Sequence, residues 1–278
     1  MRRSEGWLLE RRIPETEWRD AMGPYPLFTC GEWRHLAADM DDLRGRLVSV
    51  VLVADPMGDH DEALLRAAFP DLCRPYKKHF VVDLTLAPRT FLSEHHRRNI
   101  RKARRRVTVE VAPPGGTFLD EWCRLYEELI RRHALHGLSA FSREIFSLQF
   151  QVPGFMGLRA LRDGEVVGAI LFYRHGDTAW YHLGAYAPAG YESGASYALF
   201  AAAMEILSGQ GVRWLALGGG AHVDPRPNDG LARFKQGWAS GVRTAWICGR
   251  ILDPERYRRL VGPGGNGFFP AYRKGEFS

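Results

Sequence analysis

The residue types best suited to binding chemistry in this chain are concentrated in one basic segment. Residues 93–106 read SEHHRRNIRKARRR and contain seven cations: Arg97, Arg98, Arg101, Lys102, Arg104, Arg105 and Arg106. The whole chain has 38 Lys and Arg against 32 Asp and Glu, a net charge of +6; without these seven cations it would have 31 against 32, or −1. Such a local positive field attracts polyanions. The segment therefore predicts contact with RNA or a polyphosphate.

The same segment has the periodicity of a helix, which leaves a second interpretation open. His96, Ile100, Ala103 and Val107 recur at the three-and-four spacing of a buried stripe, and Ser93 precedes them as a predicted N-cap. On a solvated helix of this kind, arginine stems cover apolar surface and guanidinium groups pair with nearby carboxylates without binding any ligand.

A second candidate site lies in residues 215–239, which read LALGGGAHVDPRPNDGLARFKQGWA. Three consecutive glycines at the end of a predicted strand allow another backbone or a ligand to approach closely. A helix beginning at Asp229 would carry Phe234 and Lys235 side by side. By periodicity alone, Phe234 would be a core residue and Lys235 a surface residue.

Several classes of protein lack their signatures. The chain has no G-x-S-x-G, H-E-x-x-H or Walker lysine motif, and its histidines show no ligand spacing, so we predict no metal site. Residues 262–267 match G-x-G-x-x-G, but a predicted helix precedes them where a dinucleotide fingerprint requires a strand. The four scattered cysteines favour free thiols in a reducing cytoplasm. The first residues lack the apolar core of a secretory signal and no apolar run could span a bilayer, so we expect a cytoplasmic protein without membrane insertion.

The elements that must position these segments predict a mixed α+β protein. Residues 157–188 show the clearest pattern, with three short strands joined by Asp163-Gly164 and Gly176-Asp177, and therefore predict an antiparallel meander. A predicted long amphipathic helix precedes them at 117–135. The chain then continues with a small-residue loop at 190–196, an alanine-rich helix, a strand at 213–217, a helix at 229–238, a strand at 243–252 and a closing helix.

The order of these motifs resembles the Fem-type branch of the GNAT superfamily, which includes the FemAB-like peptidoglycan-bridge aminoacyltransferases. The similarity covers roughly residues 75–273 and includes RRNIRKARRR, GVRWLALGGG, DGLARFKQGW and FFPAYR. It implies a GNAT-like fold in which helices flank a mixed, mostly antiparallel sheet, in two GNAT-like halves of which the first is degraded. We expect residues 1–87 to form the degraded half and 88–278 the catalytic half, with the basic helix at 93–106.

The resemblance also implies a reaction. Members of this branch move an amino acid from aminoacyl-tRNA to an amine of a peptidoglycan precursor or small molecule, with no resident cofactor. Phe234 and Lys235 match the family's Phe-Lys motif, so Lys235 would meet negative charge at the reacting ester and Phe234 would wall the donor pocket. Asp229 would accept the amine proton, with Asp224 or water as alternatives.

The remaining implied site residues contact the donor tRNA or the acceptor. The tRNA phosphates would be bound by Arg97, Arg98, Arg101, Lys102 and Arg105. The acceptor would be bound by Lys77, Lys78, Tyr181 and Gly219. Oligomeric state has no signature in the sequence, and the chain is compatible with action as a monomer.

Acyl-CoA is the alternative donor. GNAT enzymes that use it carry a loop of the form Q/R-x-x-G-x-G/A, whereas residues 191–196 of this chain read YESGAS. The first and last positions depart from the pattern, and Glu192 brings negative charge toward the place of a diphosphate. This departure argues against acyl-CoA, and the basic helix favours RNA. A third interpretation is a non-catalytic RNA-binding protein on a GNAT scaffold.

Overall fold

A computed structural model describes residues 1–113, 115–134, 136–137, 140–221, 229–262 and 267–276. Asp224 and most of the glycine-rich segment 262–267 therefore lie outside the described residues. The described strands are β1 (Leu9–Arg12), β2 (Arg19–Met22), β3 (Ser49–Ala54), β4 (Leu72–Asp83), β5 (Thr108–Val111), β6 (Phe155–Arg162), β7 (Glu165–His175), β8 (Thr178–Tyr186), β9 (Trp214–Gly218) and β10 (Gly241–Ile251). The described α-helices are α1 (Leu36–Asp42), α2 (Glu62–Ala68), α3 (Glu94–Ala103), α4 (Gly116–His133), α5 (Arg143–Gln149), α6 (Pro188–Ser193), α7 (Ala195–Gly209), α8 (Gly230–Gln236) and α9 (Pro254–Val261). Among them, none combines the length and apolar character that a bilayer span requires.

The chain divides into two compact units, Met1–Lys78 with Arg243–Ser278, and His79–Val242. In the first unit β1 pairs with β2, β2 runs parallel to β3, and β10 pairs antiparallel with β3. Helices α1 and α2 supply Leu36, Met40 and Leu65 to its core, where all three side chains are fully buried.

The second unit contains the predicted meander. Strands β5, β6, β7 and β8 pair antiparallel in that order, β8 runs parallel to β9, and β9 pairs antiparallel with β4. Asp163 and Gly164 both have positive φ values, 54° and 83°, as a tight two-residue hairpin turn requires. The predicted α+β class with a mixed, mostly antiparallel sheet flanked by helices is confirmed.

Strand β7 lies at the centre of this sheet and is buried on both faces. On one face Val167 and Phe172 share a core with Leu199 and Ala203 of α7. On the other face the neighbouring β7 side chains pack against Phe118, Trp122 and Leu125 of α4. Burying this much aliphatic and aromatic surface is the main stabilising contribution to the unit, at roughly 25 cal/mol per Å² of apolar area.

The compact units do not follow the predicted division at residue 87. Residues 243–278 group with the N-terminal residues because β10 pairs with β3 from Trp246 to Ile251. The buried guanidinium of Arg273 also donates to Asp20 at 2.9 Å. These are non-local contacts, which a change in composition along the chain does not show.

The predicted small-residue loop at 190–196 was wrong, because residues 188–193 form helix α6. Pro188 begins this helix, a position where its missing N–H costs no hydrogen bond. Gly190 serves close packing, since a Cβ there would lie 2.1 Å from the Val167 carbonyl oxygen. Only Gly194 turns the chain, with a φ of +73°, before α7 begins.

Candidate active site

The sheet of the second unit opens between its two parallel strands. Pairing of β8 with β9 ends at Trp180 and Ala216, although β8 continues to Tyr186 and stays paired with β7 along its length. Within this fully described stretch, residues 181–186 have no ladder partner on the β9 side. Backbone N–H and C=O groups outside a ladder need other partners, such as side chains, water or a ligand. The gap beside β8 is therefore the natural place for a bound molecule in this unit.

Lys235 reaches this gap from α8. Its side chain is only 7% exposed, and its Nζ donates a hydrogen bond to the Gly219 carbonyl oxygen at 2.7 Å. The same Nζ lies 5.6 Å from the centroid of the Tyr181 ring. A carbonyl oxygen and an aromatic face both stabilise a buried ammonium group. The structure thus brings together three predicted site residues, Lys235, Gly219 and Tyr181, from α8, the end of β9 and β8.

The glycine-rich end of β9 makes this approach possible. Gly218 has a φ of +76°, which a residue with a side chain adopts only with strain. A Cβ on Gly220 would lie 2.4 Å from Asp229 Oδ2. The turn therefore places the Gly219 carbonyl against Lys235 while leaving room for the start of α8.

Tyr186 joins Tyr181 at the same site, and sequence reasoning missed it. A Cβ on Gly184 would lie 2.7 Å from the Tyr181 hydroxyl and 2.9 Å from the Tyr186 hydroxyl, so the two hydroxyls converge above this glycine. Burial raises the pKa of both phenols, so at neutral pH both hydroxyls keep their protons and can donate hydrogen bonds.

A bulge explains why Tyr186 was missed. Phe172 pairs with Tyr181 and Leu171 pairs with Leu183, so His182 is an extra residue in β8. The alternation of faces along a strand is broken there, and Tyr181 and Tyr186 come to share a face despite their odd spacing. A strict two-residue period would have placed them on opposite faces.

Asp229 caps α8. Its Oδ1 accepts the Ala232 N–H at 2.8 Å and its Oδ2 accepts the Ala221 N–H at 2.9 Å, and the residue is 7% exposed. A cap of this kind satisfies backbone donors that the first helical turn leaves unpaired. Both oxygens thus already position the end of β9 and the start of α8, and the proposal that Asp229 also accepts a proton stays a prediction.

Phe234 packs within the unit. Its ring lies 5.4 Å from the Phe200 ring and 5.5 Å from the Tyr197 ring, both on α7, measured between centroids. It is partly buried against the core that α7 shares with the sheet. These contacts fix α8 against α7. Its predicted contact with the donor stays a prediction.

The basic helix has the predicted orientation but is shorter than the predicted 93–106, because α3 ends at Ala103 with Arg104 as its C-cap, and Arg105 and Arg106 follow in a turn. Ser93 caps α3 by accepting the His96 N–H at 3.2 Å, and His96, Ala103 and Val107 are buried. All five cations predicted to bind phosphate are exposed: Arg97, Arg98, Arg101, Lys102 and Arg105. Four of them, together with Arg106, line one shallow depression.

These five cations have no carboxylate partner within 4.0 Å among the residues that the structure describes. Arg104 on the same helix differs, because it pairs with Glu205 of α7 at 2.6 Å. The interpretation that the cations of this helix simply pair with nearby carboxylates therefore holds for Arg104, whereas the five cations predicted to bind phosphate remain available for a ligand. We call the exposed surface of Arg97, Arg98, Arg101, Lys102 and Arg105 the basic face.

The turn between α6 and α7 lies next to this helix. A Cβ on Gly194 would come 3.8 Å from the Ala103 side chain, and Arg106 donates to the Glu192 carbonyl oxygen at 3.1 Å. The N-terminus of the 15-residue helix α7 thus borders the end of α3. A helix N-terminus and clustered cations both favour a phosphate group, whichever donor carries it.

Lys77 and Lys78 lie in the first compact unit, whereas Lys235, Gly219 and Tyr181 lie in the second. Both lysines belong to β4, where Lys78 is exposed and Lys77 is partly buried. Their predicted role in binding the acceptor stays a prediction.

Comparison with known proteins identifies the family of the chain. Residues 93–236, which run from the cap of α3 to the end of α8, match the family described as Acetyltransferase (GNAT) domain. No curated protein sequence matches the chain. The chain belongs to the acetyltransferase (GNAT) domain family, and its second unit is an acyltransferase domain of that type.

Solved structures place the fold more narrowly. The crystal structure of FemX superposes with a TM-score of 0.71 at 11% identity, covering 91% of this chain and 86% of FemX. The C-terminal domain of a candidate lysylphosphatidylglycerol synthetase from Agrobacterium fabrum gives 0.61 at 14% identity, covering 91% and 82%. L-PGS from Bacillus licheniformis gives 0.58 at 16% identity, covering 90% and 82%. The resemblance to the Fem-type branch is confirmed at the level of the fold.

Proposed function

We propose that this protein transfers an amino acid from aminoacyl-tRNA to an amine of a small molecule or a cell-wall precursor, forming an amide bond. The observation that carries the proposal is the basic face of α3, in the same compact unit as the buried Lys235. Aminoacyl-tRNA is a phosphate-rich donor whose backbone such a face can bind without reading sequence. We place the reaction in the cytoplasm, where this donor is made.

Repulsion between the like charges of the basic face argues for a ligand. Arg97 and Arg101 are four residues apart, as are Arg98 and Lys102. Like charges at this spacing destabilise a helix by about 0.2 to 0.5 kcal/mol per pair. The described structure provides no carboxylate within 4.0 Å of these side chains to offset that repulsion. Bound phosphates would offset it.

The reaction needs little covalent help from the protein. The acceptor amine attacks the ester carbonyl, the resulting tetrahedral oxyanion collapses, and the bond between the carbonyl carbon and the ribose oxygen breaks. The amine loses a proton and the leaving ribose oxygen gains one, so no external oxidant or energy source is required. The protein must hold the two substrates together and stabilise the oxyanion.

Lys235 is the residue best placed to meet that negative charge. Its ammonium group lies at the gap beside β8 and already donates to a carbonyl oxygen, the geometry that an oxyanion or a leaving oxygen would use. Tyr181 and Tyr186 supply two further protonated donors nearby. Removing one such donor typically lowers the rate on the order of 10²- to 10³-fold. The amine proton would pass to water or to Asp229.

The similar structures support an aminoacyl group as the unit transferred. FemX shares the fold over most of both chains, and lysylphosphatidylglycerol synthetase is named for a product that carries a lysyl group. Both likenesses are structural, so they support the class of reaction and leave the amino acid and the acceptor open.

Acyl-CoA is a second candidate donor, favoured by the left-handed turn at Gly194 before the N-terminus of α7. A diphosphate fits such a helix start. We rank it second because Tyr191 and Ser196 depart from the first and last positions of a CoA-binding loop, because Glu192 adds a negative charge there, and because the basic face exceeds what one diphosphate needs.

A donor panel tests the proposal. The purified protein would be incubated with small amines and either a radiolabelled aminoacyl-tRNA pool or acyl-CoA thioesters, and amide products would be quantified. We expect product from aminoacyl-tRNA alone. Product from a CoA thioester alone would make the second candidate correct, and binding of tRNA without any product would indicate a non-catalytic RNA-binding protein.

A further inference from the structure

Helices α3 and α8 carry the two halves of the proposed machinery, the basic face and Lys235, and one buried side chain joins them. We propose that His96 is a positioning residue that locks α3 to α8, so that a donor bound on the basic face is held in line with Lys235. The inference rests on the proposed function, which it deepens by naming what couples donor binding to the reacting group.

The hydrogen bonds of His96 run to both helices. Its Nε2 lies 2.9 Å from the Phe234 carbonyl oxygen, and its Nδ1 lies 2.8 Å from Ser93 Oγ. A carbonyl oxygen can only accept, so Nε2 carries the proton and donates it to Phe234. Nδ1 then accepts from the Ser93 hydroxyl, whose oxygen also accepts the His96 N–H. The side chain thus ties the cap of α3 to the residue immediately before Lys235.

Close packing reinforces these bonds. His96 is 4% exposed, and its ring lies edge-on to Trp238 at 5.1 Å and to Tyr197 at 5.2 Å between centroids. On Gly237, a Cβ would lie 2.0 Å from His96 Cε1, so only glycine allows the ring to sit there. The Gly237 carbonyl oxygen also accepts the Ser93 N–H at 3.2 Å.

Helix α8 depends on contacts of this kind. It has seven residues, and helices this short are not stable alone, so tertiary contacts set its position. The His96 bond acts at the Phe234 carbonyl, one residue from Lys235. A shift of about 1 Å in a reacting group can cost about 10²-fold in rate. Loss of the lock should therefore reduce turnover more than donor affinity.

The charge state of His96 fits this role. Burial lowers its pKa, so the ring is neutral at pH 7 and keeps one fixed tautomer with one donor and one acceptor nitrogen. The neighbouring His95 is exposed, its Nε2 hydrogen-bonds to Asn99 and Tyr197, and its ring lies edge-on to that of His96 at 5.8 Å, but it makes no hydrogen bond to the fully described helix α8. It provides a matched control on the same helix.

The test compares His96→Phe, His96→Gln and the control His95→Gln. Phenylalanine keeps the ring but removes both hydrogen bonds, whereas the glutamine amide can still donate to the Phe234 carbonyl. For His96→Phe we expect kcat to fall about 10- to 100-fold, with KM for aminoacyl-tRNA and the Kd for tRNA within about threefold of wild type. His96→Gln should recover most of kcat, and His95→Gln should match wild type. Unchanged kcat in folded His96→Phe, a parallel loss of kcat and tRNA affinity, or no recovery with glutamine would each overturn the proposal.

Hydrogen exchange separates failure of the lock from failure of the proposed function, because it needs no substrate. In His96→Phe, amides of α3 and α8 should exchange together about 10-fold faster, with α4 unchanged. Faster exchange in α3 alone, or no change in the exchange rate of either helix, would refute the proposal that His96 locks α3 to α8. An inactive wild-type protein that still shows the coupled change would refute the aminoacyl-tRNA proposal alone. If His96→Phe fails to fold, Gly237→Ala applies the same test from the α8 side, because its methyl group displaces the ring.

Discussion

Removing charge from the basic face should separate RNA binding from stability. The perturbation is the triple variant Arg98→Gln, Arg101→Gln and Arg105→Gln, which takes three exposed cations from the depression on α3. Removing one ion pair between a cation and a phosphate reduces the slope of log K against log salt by about 0.7 to 0.9, so removing three reduces it by about 2 to 3. At about 0.5 to 1 kcal/mol per exposed pair, tRNA affinity should fall roughly 10- to 100-fold at moderate salt.

Stability should change little. The variant removes the like-charge pairs of Arg97 with Arg101 and of Arg98 with Lys102, each worth about 0.2 to 0.5 kcal/mol of repulsion. Because these side chains have no carboxylate partner within 4.0 Å among the described residues, the substitution breaks no ion pair of that kind. Replacing Arg101 also removes a cation from the last turn of α3, where it interacts favourably with the helix C-terminus by about 0.3 to 1 kcal/mol. We therefore expect the free energy of unfolding to stay within about 0.5 kcal/mol of wild type.

Fluorescence anisotropy of labelled tRNA, titrated at several salt concentrations, measures the slope, and thermal unfolding measures the stability. Arg104→Gln is the matched control, because Arg104 lies on the same helix but pairs with Glu205. The control should keep the wild-type salt slope. An unchanged slope in the triple variant, or a clear loss of stability with tRNA binding intact, would show that these arginines serve the fold and refute our account of the basic face.

Three further predictions concern the gap beside β8 and its surroundings. Lys235→Met, which keeps the apolar stem but loses the ammonium group, should lower kcat on the order of 10²- to 10³-fold with tRNA affinity retained. A single-turnover rate equal to that of wild type would show that Lys235 does not act in the reaction. Asp229→Asn should keep the helix cap through the Ala232 N–H but lose the bond from the Ala221 N–H, because an amide nitrogen cannot accept a hydrogen bond. Turnover should then fall less than about tenfold, whereas a loss of about 10²-fold or more would make Asp229 the general base. Burial lowers the pKa of His182 from 6.5 to about 4. Between these pH values the imidazole is protonated in the unfolded protein but neutral in the folded protein. The free energy of unfolding should therefore fall as the pH drops from about 6.5 to about 4, by about 3 kcal/mol at most. Chemical denaturation across this pH range measures the free energy of unfolding, and His182→Gln should make it depend less on pH. An unchanged pH dependence in this variant would contradict a lowered pKa for His182.

Local signals in the sequence predicted the elements that carry the site. The three-and-four spacing of His96, Ala103 and Val107 reports helical burial directly, and the structure buries all three. The turn residues Asp163 and Gly164 adopt the positive φ values that their types favour. These features depend on a few neighbouring residues, so one sequence is enough to predict them.

Features that depend on distant contacts were not predicted. Gly190 looked like a loop residue, yet it lies within helix α6, and it is glycine because the Val167 carbonyl leaves no room for a side chain. Tyr186 joins the site through a bulge at His182, which changes the face of every following residue in β8. The pairing of β10 with β3 brings the C-terminal segment into the first unit, and no local pattern indicates it.

Phe234 and Asp229 show the same limit within the site. Asp229 begins the predicted helix and Phe234 directly precedes Lys235 in it; the family resemblance implied a role for Phe234 in the donor pocket, and Asp229 was a candidate proton acceptor. The structure shows Phe234 packed on Phe200 and Asp229 bound to two backbone N–H groups. Such supporting roles are set by partners that lie far away in the sequence or across a turn.

The most direct test of the central claim asks whether the donor is an RNA. Aminoacyl-tRNA would be treated with RNase or mock-treated before a single-turnover reaction with wild-type protein and a saturating amine, and the amide product would be quantified. Our account predicts that RNase abolishes product formation, because the basic face of α3 then has no phosphate backbone to hold beside Lys235. Product that forms equally well after RNase treatment, or only when a CoA thioester is added, would contradict it.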